Sequence, residues 1–199
     1  MDSQQYNMSF TAGALLQTDS VTIAKLYLEL RSWNEVKDKA IANNVLQSRA
    51  VSTLKRISYE VISRLSTLTS EELILLVNSS HKDQAYLIWM AVCRHHKFIA
   101  DFAIEVLRER FITFKPDLQY SDFDVFFNRK CDWHSELDGL SISTKKKLRQ
   151  VLFKMLREAD FLDGKNNIQA TILSPRLLDV IERSGGRDIM YFTVSENAV

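Results

Sequence analysis

The most chemically suggestive stretch of the sequence is a run of basic residues that no acidic residue interrupts. Residues 143–157 contain six lysine and arginine side chains and no aspartate or glutamate. Cationic side chains at this density are typical of surfaces that bind phosphate, and Gln150 could read the edge of a base. The candidate binding residues in this run are Ser143, Thr144, Lys145, Lys146, Lys147, Arg149, Gln150 and Lys154.

The element that carries this run should be a long helix. Apolar residues between 148 and 159 recur at the i, i+3, i+4, i+7 spacing of one helix face, so we expect a helix over residues 143–159. Lys145 to Lys147 would then lie in its first turn, where the positive end of the helix dipole disfavours cations. A bound phosphate would make that placement favourable. The alternative is an ordinary solvated charged face, which is what most charge runs form.

The residues after this helix predict a small β-hairpin. Asp163-Gly164 is a strong turn signal, and it separates Phe161-Leu162 from the largely apolar stretch at residues 168–173. Lys165 would lie near the tip of this hairpin. Short helices, a long helix and then a hairpin is the order of a winged helix-turn-helix, whose last helix enters the major groove. The order therefore favours binding of double-stranded DNA, with Lys165 as a further contact.

A second basic strip lies in the N-terminal half. Arg49, Lys55, Arg56 and Arg64 fall within a predicted helix over residues 48–65, and Glu60 could pair with Arg64 or Arg56 at i,i+4 spacing. A solvated face explains these charges adequately. We nevertheless keep Arg49, Lys55 and Arg56 as candidate contacts to nucleic acid.

Two C-x-x-H pairs raise the question of a zinc site. Cys93 with His96 and Cys131 with His134 supply the two cysteines and two histidines that tetrahedral zinc accepts. The flanking pattern of a zinc site is missing, and a buried inert cysteine is the commoner case. No nucleophile elbow, phosphate-cradling glycine loop or dinucleotide fingerprint occurs. We therefore expect no enzymatic activity, no cofactor and no bound metal.

Composition limits the class of protein. The chain has 199 residues, of which 46% are hydrophobic and 26% charged, with a net charge of +1. Five glycines and two prolines are few, which favours long helices. The longest unbroken apolar run covers residues 86–93, far below the roughly 20 residues of a membrane helix. We expect no membrane contact. Two cysteines favour a reduced, cytoplasmic setting.

The predicted fold is mainly α: a helical N-terminal subdomain is followed by a winged-helix-like C-terminal subdomain with a small β-element. Lys115-Pro116 is the clearest break in the pattern, so we divide the chain into residues 1–115 and 116–199. The three tryptophans are expected in the core. A first helix is expected after Asp19 or Ser20, either of which can cap it, and two further helices should be capped by Thr69 and Ser174. Other helices are expected over residues 34–46, 82–96, 98–111, 121–129 and 135–140, and a last strand over 189–194.

Several segments together resemble the BrxA family of BREX phage-defence systems. Their order and spacing are more specific than any one of them, and they cover most of the chain. The matching segments are Ser9-Phe10-Thr11, Gly13-Ala14-Leu15-Leu16, residues 43–49, Lys55-Arg56-Ile57, Arg64-Leu65, residues 87–94, Asp101-Phe102, Glu105-Val106, Ser143-Thr144-Lys145, residues 147–150 and residues 155–159.

The resemblance implies a non-enzymatic, DNA-binding component of a bacterial defence system. It also implies other BREX proteins as partners: a DNA methyltransferase, a large ATPase, a phosphatase-like protein and a Lon-like protease. The residues themselves leave two alternatives open. One is an interaction scaffold that holds a multi-protein complex, and the other is RNA binding by the helical N-terminal half.

Overall fold

The computed structural model describes residues 5–194, and this part of the chain is mainly helical, which confirms the mainly α prediction. Its α-helices are α1 Gln17–Leu30, α2 Trp33–Ala42, α3 Val51–Leu65, α4 Ser70–Asn78, α5 His81–His95, α6 Lys97–Phe102, α7 Glu109–Ile112, α8 Tyr120–Cys131, α9 Ile142–Glu158 and α10 Pro175–Arg183. A π-helical segment, Ala103–Arg108, joins α6 to α7. Short 3-10 turns cover Phe10–Ala12, Ser135–Leu137 and Arg187–Tyr191.

Local signals in the sequence explain where several helices begin. The Thr69 hydroxyl accepts a hydrogen bond from the Glu72 backbone N–H at 3.2 Å, and the Glu72 carboxylate accepts one from the Thr69 N–H at 2.7 Å. This capping box satisfies two backbone donors at the start of α4. Ser174 caps α10, whose first residue is Pro175. Both of these predicted helix starts are confirmed.

Helix α5 is the centre of the core. All nine residues from Ala85 to Cys93 are buried, because the apolar side chains surround the helix on every face. Trp89 is fully buried and donates its indole N–H to the Tyr191 carbonyl at 2.9 Å. Trp133, by contrast, is 78% exposed, so its predicted place in the core is wrong.

The chain crosses the predicted 115/116 boundary without a gap in packing. Buried residues from both sides of the boundary belong to one hydrophobic core. The Pro116 carbonyl accepts a hydrogen bond from the Ile168 N–H at 2.6 Å, and the Leu118 N–H donates to the Asn166 carbonyl at 2.9 Å. The division into residues 1–115 and 116–199 stays a prediction.

Within the residues that the structure describes, the predicted β-hairpin forms only as isolated bridges, and the predicted last strand is wrong. Where the hairpin was expected there are two isolated bridges, Leu162 with Ile168 and Asp117 with Asn167. The Asp163 carboxylate accepts backbone hydrogen bonds from Lys165 and Asn167, each at 2.8 Å. This side-chain-centred turn competes with a strand ladder.

The strand predicted over residues 189–194 is absent from the described residues for a different reason. Residues 187–191 form a 3-10 turn instead. The winged-helix arrangement therefore lacks its β-element and is not confirmed. In residues 5–194, no helix combines the length and the apolar character that crossing a membrane requires.

Candidate nucleic-acid interface

Helix α9 begins one residue earlier than predicted, and this changes the position of its lysines. The helix starts at Ile142, and the Ser141 hydroxyl caps it by accepting from the Thr144 N–H at 3.2 Å. Lys145 to Lys147 are therefore the fourth to sixth helical residues and lie beyond the first turn. The dipole effect falls off within the first turn, so the expected conflict between these lysines and the dipole is wrong.

One face of α9 nevertheless remains a polar stripe. The residues opposite it are fully buried, Leu148 and Leu152 among them. The stripe recurs at helical spacing, so its side chains leave the protein on the same side. We call it the α9 stripe, and it consists of the exposed residues Ser143, Lys146, Lys147, Gln150 and Lys154.

Two of the predicted contacts turn away from this stripe and bind helix α8. The Lys145 ammonium donates to the Asn128 side-chain carbonyl at 2.7 Å and lies 4.5 Å from the centre of the Phe127 ring. Arg149 pairs with Asp124, and its guanidinium lies 4.8 Å from the centre of the Tyr120 ring. These two cations hold α9 against α8 and are poorly placed to meet a ligand.

The remaining cations of α9 differ in how far they are already paired. Lys154 lies 3.6 Å from Glu158, one helical turn away, and Arg157 donates to Asn166 at 2.8 Å. Within residues 5–194, neither Lys146 nor Lys147 has an ion pair or a side-chain hydrogen bond. The basic run of the sequence thus contributes two unpaired lysines to the α9 stripe.

A cleft of about 1000 Å³ lies beside the N-terminal end of α9. We call it the α3 cleft. It brings the two predicted basic regions together, because Lys55 and Arg56 of α3 line it together with Thr144 of α9. Other residues around the cleft are Asn7, Met8, Ser9, Thr11, Ala12, Lys37, Ile41, Ser52, Tyr59, Glu60 and His95.

Lys37, Tyr59 and His95 are among the residues of this cleft that the sequence analysis did not predict as contacts. A signal for Tyr59 was present, since Ser52, Lys55, Arg56 and Tyr59 recur at i, i+3, i+4, i+7 on the solvent side of α3. Lys37 and His95 lie on other helices, and nothing in the sequence pairs them with α3.

Beneath the cleft, Glu60 belongs to a buried charged group. Its Oε1 atom accepts a hydrogen bond from Arg64 Nε at 2.8 Å and one from His96 Nε2 at 2.9 Å. Arg64 also donates to the Ala14 carbonyl at 2.8 Å, and its side chain is only 1% exposed. The predicted Glu60–Arg64 pair is confirmed, but the placement of Arg64 on a solvated strip is wrong.

The charges around Glu60 set its protonation. Burial would raise the pKa of the Glu60 carboxyl, but the hydrogen bond from His96 and the charge of Arg64 outweigh it and hold that pKa below its ordinary value. The pKa of His95 is lowered, mainly because the ring is partly buried and also because His96 lies beside it. At neutral pH the cleft therefore combines a carboxylate, a neutral His95 and the cations of its rim.

Comparison with known proteins identifies the family. The BrxA family model matches residues 4–185. The chain belongs to the BrxA family. The resemblance noted in the sequence is thereby confirmed.

Individual relatives agree with the family model. The BREX protein BrxA of Escherichia coli O9:H4 (strain HS) is 29% identical over 183 residues, which is 89% of this chain and 84% of that protein. The BREX protein BrxA of Bacillus cereus (strain H3081.97) is 27% identical over 74% of each chain. A crystal structure of an uncharacterized protein from Magnetospirillum magneticum has the same fold, with a TM-score of 0.84, 22% identity and coverage of 96% of this chain and 98% of that one.

Two of the residues predicted to contact nucleic acid lie outside both the α9 stripe and the α3 cleft. Arg49 is exposed in the turn before α3 and does not line the cleft. Lys165 is exposed in the turn after α9, where its N–H donates to Asp163. Neither residue is brought close to the α9 stripe by a described contact, so their role in binding stays a prediction.

The histidines of the two C-x-x-H pairs contact carboxylates, and the two cysteines form no disulfide. His96 donates to Glu60, and His134 lies 3.0 Å from Glu136. Cys93 is buried in α5, and that burial raises the pKa of its thiol well above the ordinary value. Among residues 5–194 no cluster of three or more potential metal ligands occurs.

Proposed function

We propose that this chain is a non-enzymatic, double-stranded-DNA-binding component of a BREX phage-defence system. The observation that carries the proposal is the α9 stripe, where Lys146 and Lys147 stand exposed and unpaired within the described residues on a helix free of acidic residues from 142 to 157. Membership of the BrxA family supports the assignment to BREX.

The physical argument rests on the cost of recruiting each cation. A lysine already paired with a carboxylate must give up that partner before it binds phosphate, whereas an exposed unpaired lysine exchanges only water and counterions. Lys146 and Lys147 are of the second kind. Gln150 lies between them and Lys154 on the same stripe, where its amide can reach a base edge once the lysines fix the backbone.

The α3 cleft supports the same function from the other side of Thr144. Lys55 and Arg56 are exposed at this cleft, so the predicted N-terminal strip and the α9 helix share a surface. A duplex lying along the stripe could engage both sets of cations. The cytoplasmic setting stays part of this proposal.

A second candidate function is scaffolding of other BREX proteins. Phe114 is 93% exposed, and Trp133 and Ile172 are also largely exposed. Single exposed apolar residues are ordinary, but aromatic ones are enriched at protein interfaces. As a scaffold, the chain would bind the methyltransferase, the ATPase, the phosphatase-like protein and the Lon-like protease. It requires no contact between the α9 stripe and DNA.

A salt-dependent binding series separates the two candidates. We expect Lys146→Ala combined with Lys147→Ala to reduce the slope of log K against log salt by about 1.8, at ~0.9 for each of two phosphate contacts. The measurement is fluorescence anisotropy of a labelled duplex between low and moderate salt. Folding should be unchanged, since both side chains are exposed.

The matched control is Lys25→Ala combined with Lys82→Ala, which removes two exposed lysines that lie neither on α9 nor at the cleft. Its salt slope should equal that of the wild type. Wild-type affinity and slope in the Lys146/Lys147 variant would exclude the α9 stripe and leave scaffolding as the better function. Tighter binding of an RNA duplex than of the same DNA sequence would argue for RNA instead.

A further inference from the structure

The α3 cleft contains a feature that duplex binding does not use. Glu60 lies at the cleft with a side chain only 7% exposed, and both Arg64 and His96 contact its Oε1 atom. Within the described part of the chain, Oε2 has no hydrogen-bond partner. Oε2 is not among the fully buried, unpaired side-chain atoms of the described residues, so solvent reaches it. A ligand with an N–H group that enters the cleft can therefore donate a hydrogen bond to it.

We propose that the α3 cleft binds a single unpaired nucleotide of a DNA strand, whose exocyclic amino group donates a hydrogen bond to Glu60 Oε2 while its phosphates contact the cations at the rim. The proposal deepens the proposed function and rests on it. It concerns one chemical class of ligand, a base that bears an amino group: cytosine, adenine or guanine.

The order of charges in the cleft decides which part of the nucleotide lies deepest. A phosphate at the floor would meet the negative charge of Glu60, whereas an amino group meets a good acceptor there. Lys37, Lys55 and Arg56 are all exposed, so the cations lie where a sugar-phosphate strand would pass. This arrangement of charges favours a nucleotide whose base lies at the floor of the cleft and whose phosphates lie at the rim.

The walls of the cleft also suit a base. Tyr59 is 66% exposed on the same helix, and an exposed aromatic ring beside cations is the typical stacking platform for unpaired bases. Met8, Ala12 and Ile41 add apolar surface. A cleft of about 1000 Å³ lies at the upper end of the volumes of ligand pockets, a size that suits one small ligand such as a nucleotide.

Glu60 is held in the state that this recognition needs. Arg64 and His96 fix the carboxylate through Oε1 and keep it ionised, which leaves Oε2 as an acceptor and never a donor. Thymine has no amino group, and two carbonyl oxygens flank its single ring N–H. Those oxygens would face the carboxylate, so thymine should be disfavoured.

The test compares duplexes that differ at one position. A fully paired duplex is measured beside versions that contain a single unpaired cytosine, adenine, guanine, thymine or abasic site, by anisotropy at constant salt. We expect the wild type to bind the cytosine, adenine and guanine versions about tenfold more tightly than the paired, thymine and abasic duplexes. Equal affinity for all six duplexes would overturn the proposal and leave the proposed function intact. Failure to bind even the paired duplex would instead overturn the proposed function.

Two variants locate the effect in the cleft. Tyr59→Ala should abolish the gain from the unpaired base and leave binding of the paired duplex unchanged. The control Phe114→Ala removes an exposed aromatic ring that does not line the cleft, and it should behave as the wild type. Equal loss of affinity for paired and unpaired DNA in Tyr59→Ala would overturn the proposal.

Glu60→Gln tests the hydrogen bond itself, because its amide N–H₂ can occupy the position of Oε2 and favour the carbonyl oxygens of thymine. We expect the preference to move towards thymine. If this variant does not fold, the base series on the wild type and the Tyr59→Ala result decide the matter. Competition by free deoxycytidine monophosphate as strong as that of the bulged duplex would contradict a strand-borne ligand.

Discussion

The α9 stripe and the α3 cleft are both basic in sequence but differ in what lies behind their cations. On α9 the cations that face solvent stand over a fully apolar side of the helix, with Leu148 and Leu152 buried beneath them. On α3 the exposed cations Lys55 and Arg56 stand beside a buried carboxylate, Glu60. The α9 stripe presents cations and the amide of Gln150, whereas the α3 cleft has cations at its rim and a carboxylate acceptor at its floor.

The helices packed beside a run of basic residues decide which of its side chains stay exposed to a ligand. Lys145 and Lys146 are neighbours in the sequence, yet one is tied to α8 and the other is exposed. Arg56 and Arg64 belong to the same helix, yet only Arg56 reaches solvent. Substitutions made at one residue of each pair at a time therefore test this contrast between exposed and packed cations.

The largest effect is expected at the floor of the α3 cleft. Glu60→Ala leaves the Arg64 guanidinium buried without its carboxylate, and breaking a buried ion pair in this way costs about 3–5 kcal/mol of the free energy of unfolding. Urea denaturation followed by circular dichroism measures this change. The corresponding change at an exposed pair, Glu71→Ala, removes one of the two carboxylates that pair with Arg183 and should cost about 0–1 kcal/mol.

A loss below about 1 kcal/mol in Glu60→Ala would contradict the buried charged group. Arg64 would then have to reach solvent or water would have to reach Arg64. The cleft would in that case be another solvated basic surface, and the contrast with the α9 stripe would disappear.

A smaller effect separates Lys145 from Lys146. Lys145→Ala removes a hydrogen bond to Asn128 and a cation–π contact with Phe127, which together should cost about 1 kcal/mol of stability. Lys146→Ala should remain within about 0.5 kcal/mol, as surface substitutions do. DNA binding should rank them in the opposite order, with Lys146→Ala the weaker binder. A shared ranking in both measurements would contradict the division of α9 into inward and outward cations.

The sequence predicted much of this arrangement, and the failures have physical reasons. Helical periodicity located α9 and the buried α5, and capping residues located the start of α4 and α10. The hairpin is limited to isolated bridges because the Asp163 side chain accepts hydrogen bonds from the backbone amides of Lys165 and Asn167. The prediction that Lys145 to Lys147 lie in the first turn of α9 was wrong because Ser141, rather than a later residue, caps the helix.

The site was only partly predictable for a related reason. Spacing along one helix could group Lys55 and Arg56, because residues on the same helix face have fixed relations. It could not pair them with Thr144 of α9 or His95 of α5, because those contacts depend on how distant helices pack. The i,i+4 spacing predicted the Glu60–Arg64 pair, but it could not predict that the pair is buried. That burial involves Ala14, which Arg64 contacts, and His96, which Glu60 contacts, and both lie outside α3.

The smallest expected effect is a pH dependence that the α3 cleft has and the α9 stripe lacks. Lysines remain charged across the range from pH 8 to pH 5.5, so binding through α9 alone should not change. His95 lines the cleft, and Glu60, Arg64 and His96 surround it. Because its pKa is lowered from the ordinary value of 6.5 in the folded protein, the ring is neutral at pH 7 and gains a positive charge on acidification.

Protonation of His95 should move stability and DNA affinity in opposite directions. The unfolded chain, with the higher histidine pKa, binds more protons near pH 6, so the free energy of unfolding should fall as the pH decreases through 6.5. A phosphate near the cleft favours the protonated ring, so DNA affinity should rise over the same range. His95→Gln should lose both trends, while histidines elsewhere contribute equally to the two proteins and cancel in the comparison. If the wild type and His95→Gln showed identical pH profiles for both measurements, His95 would not face the bound DNA, and the α3 cleft would contribute to binding only through its permanent cations.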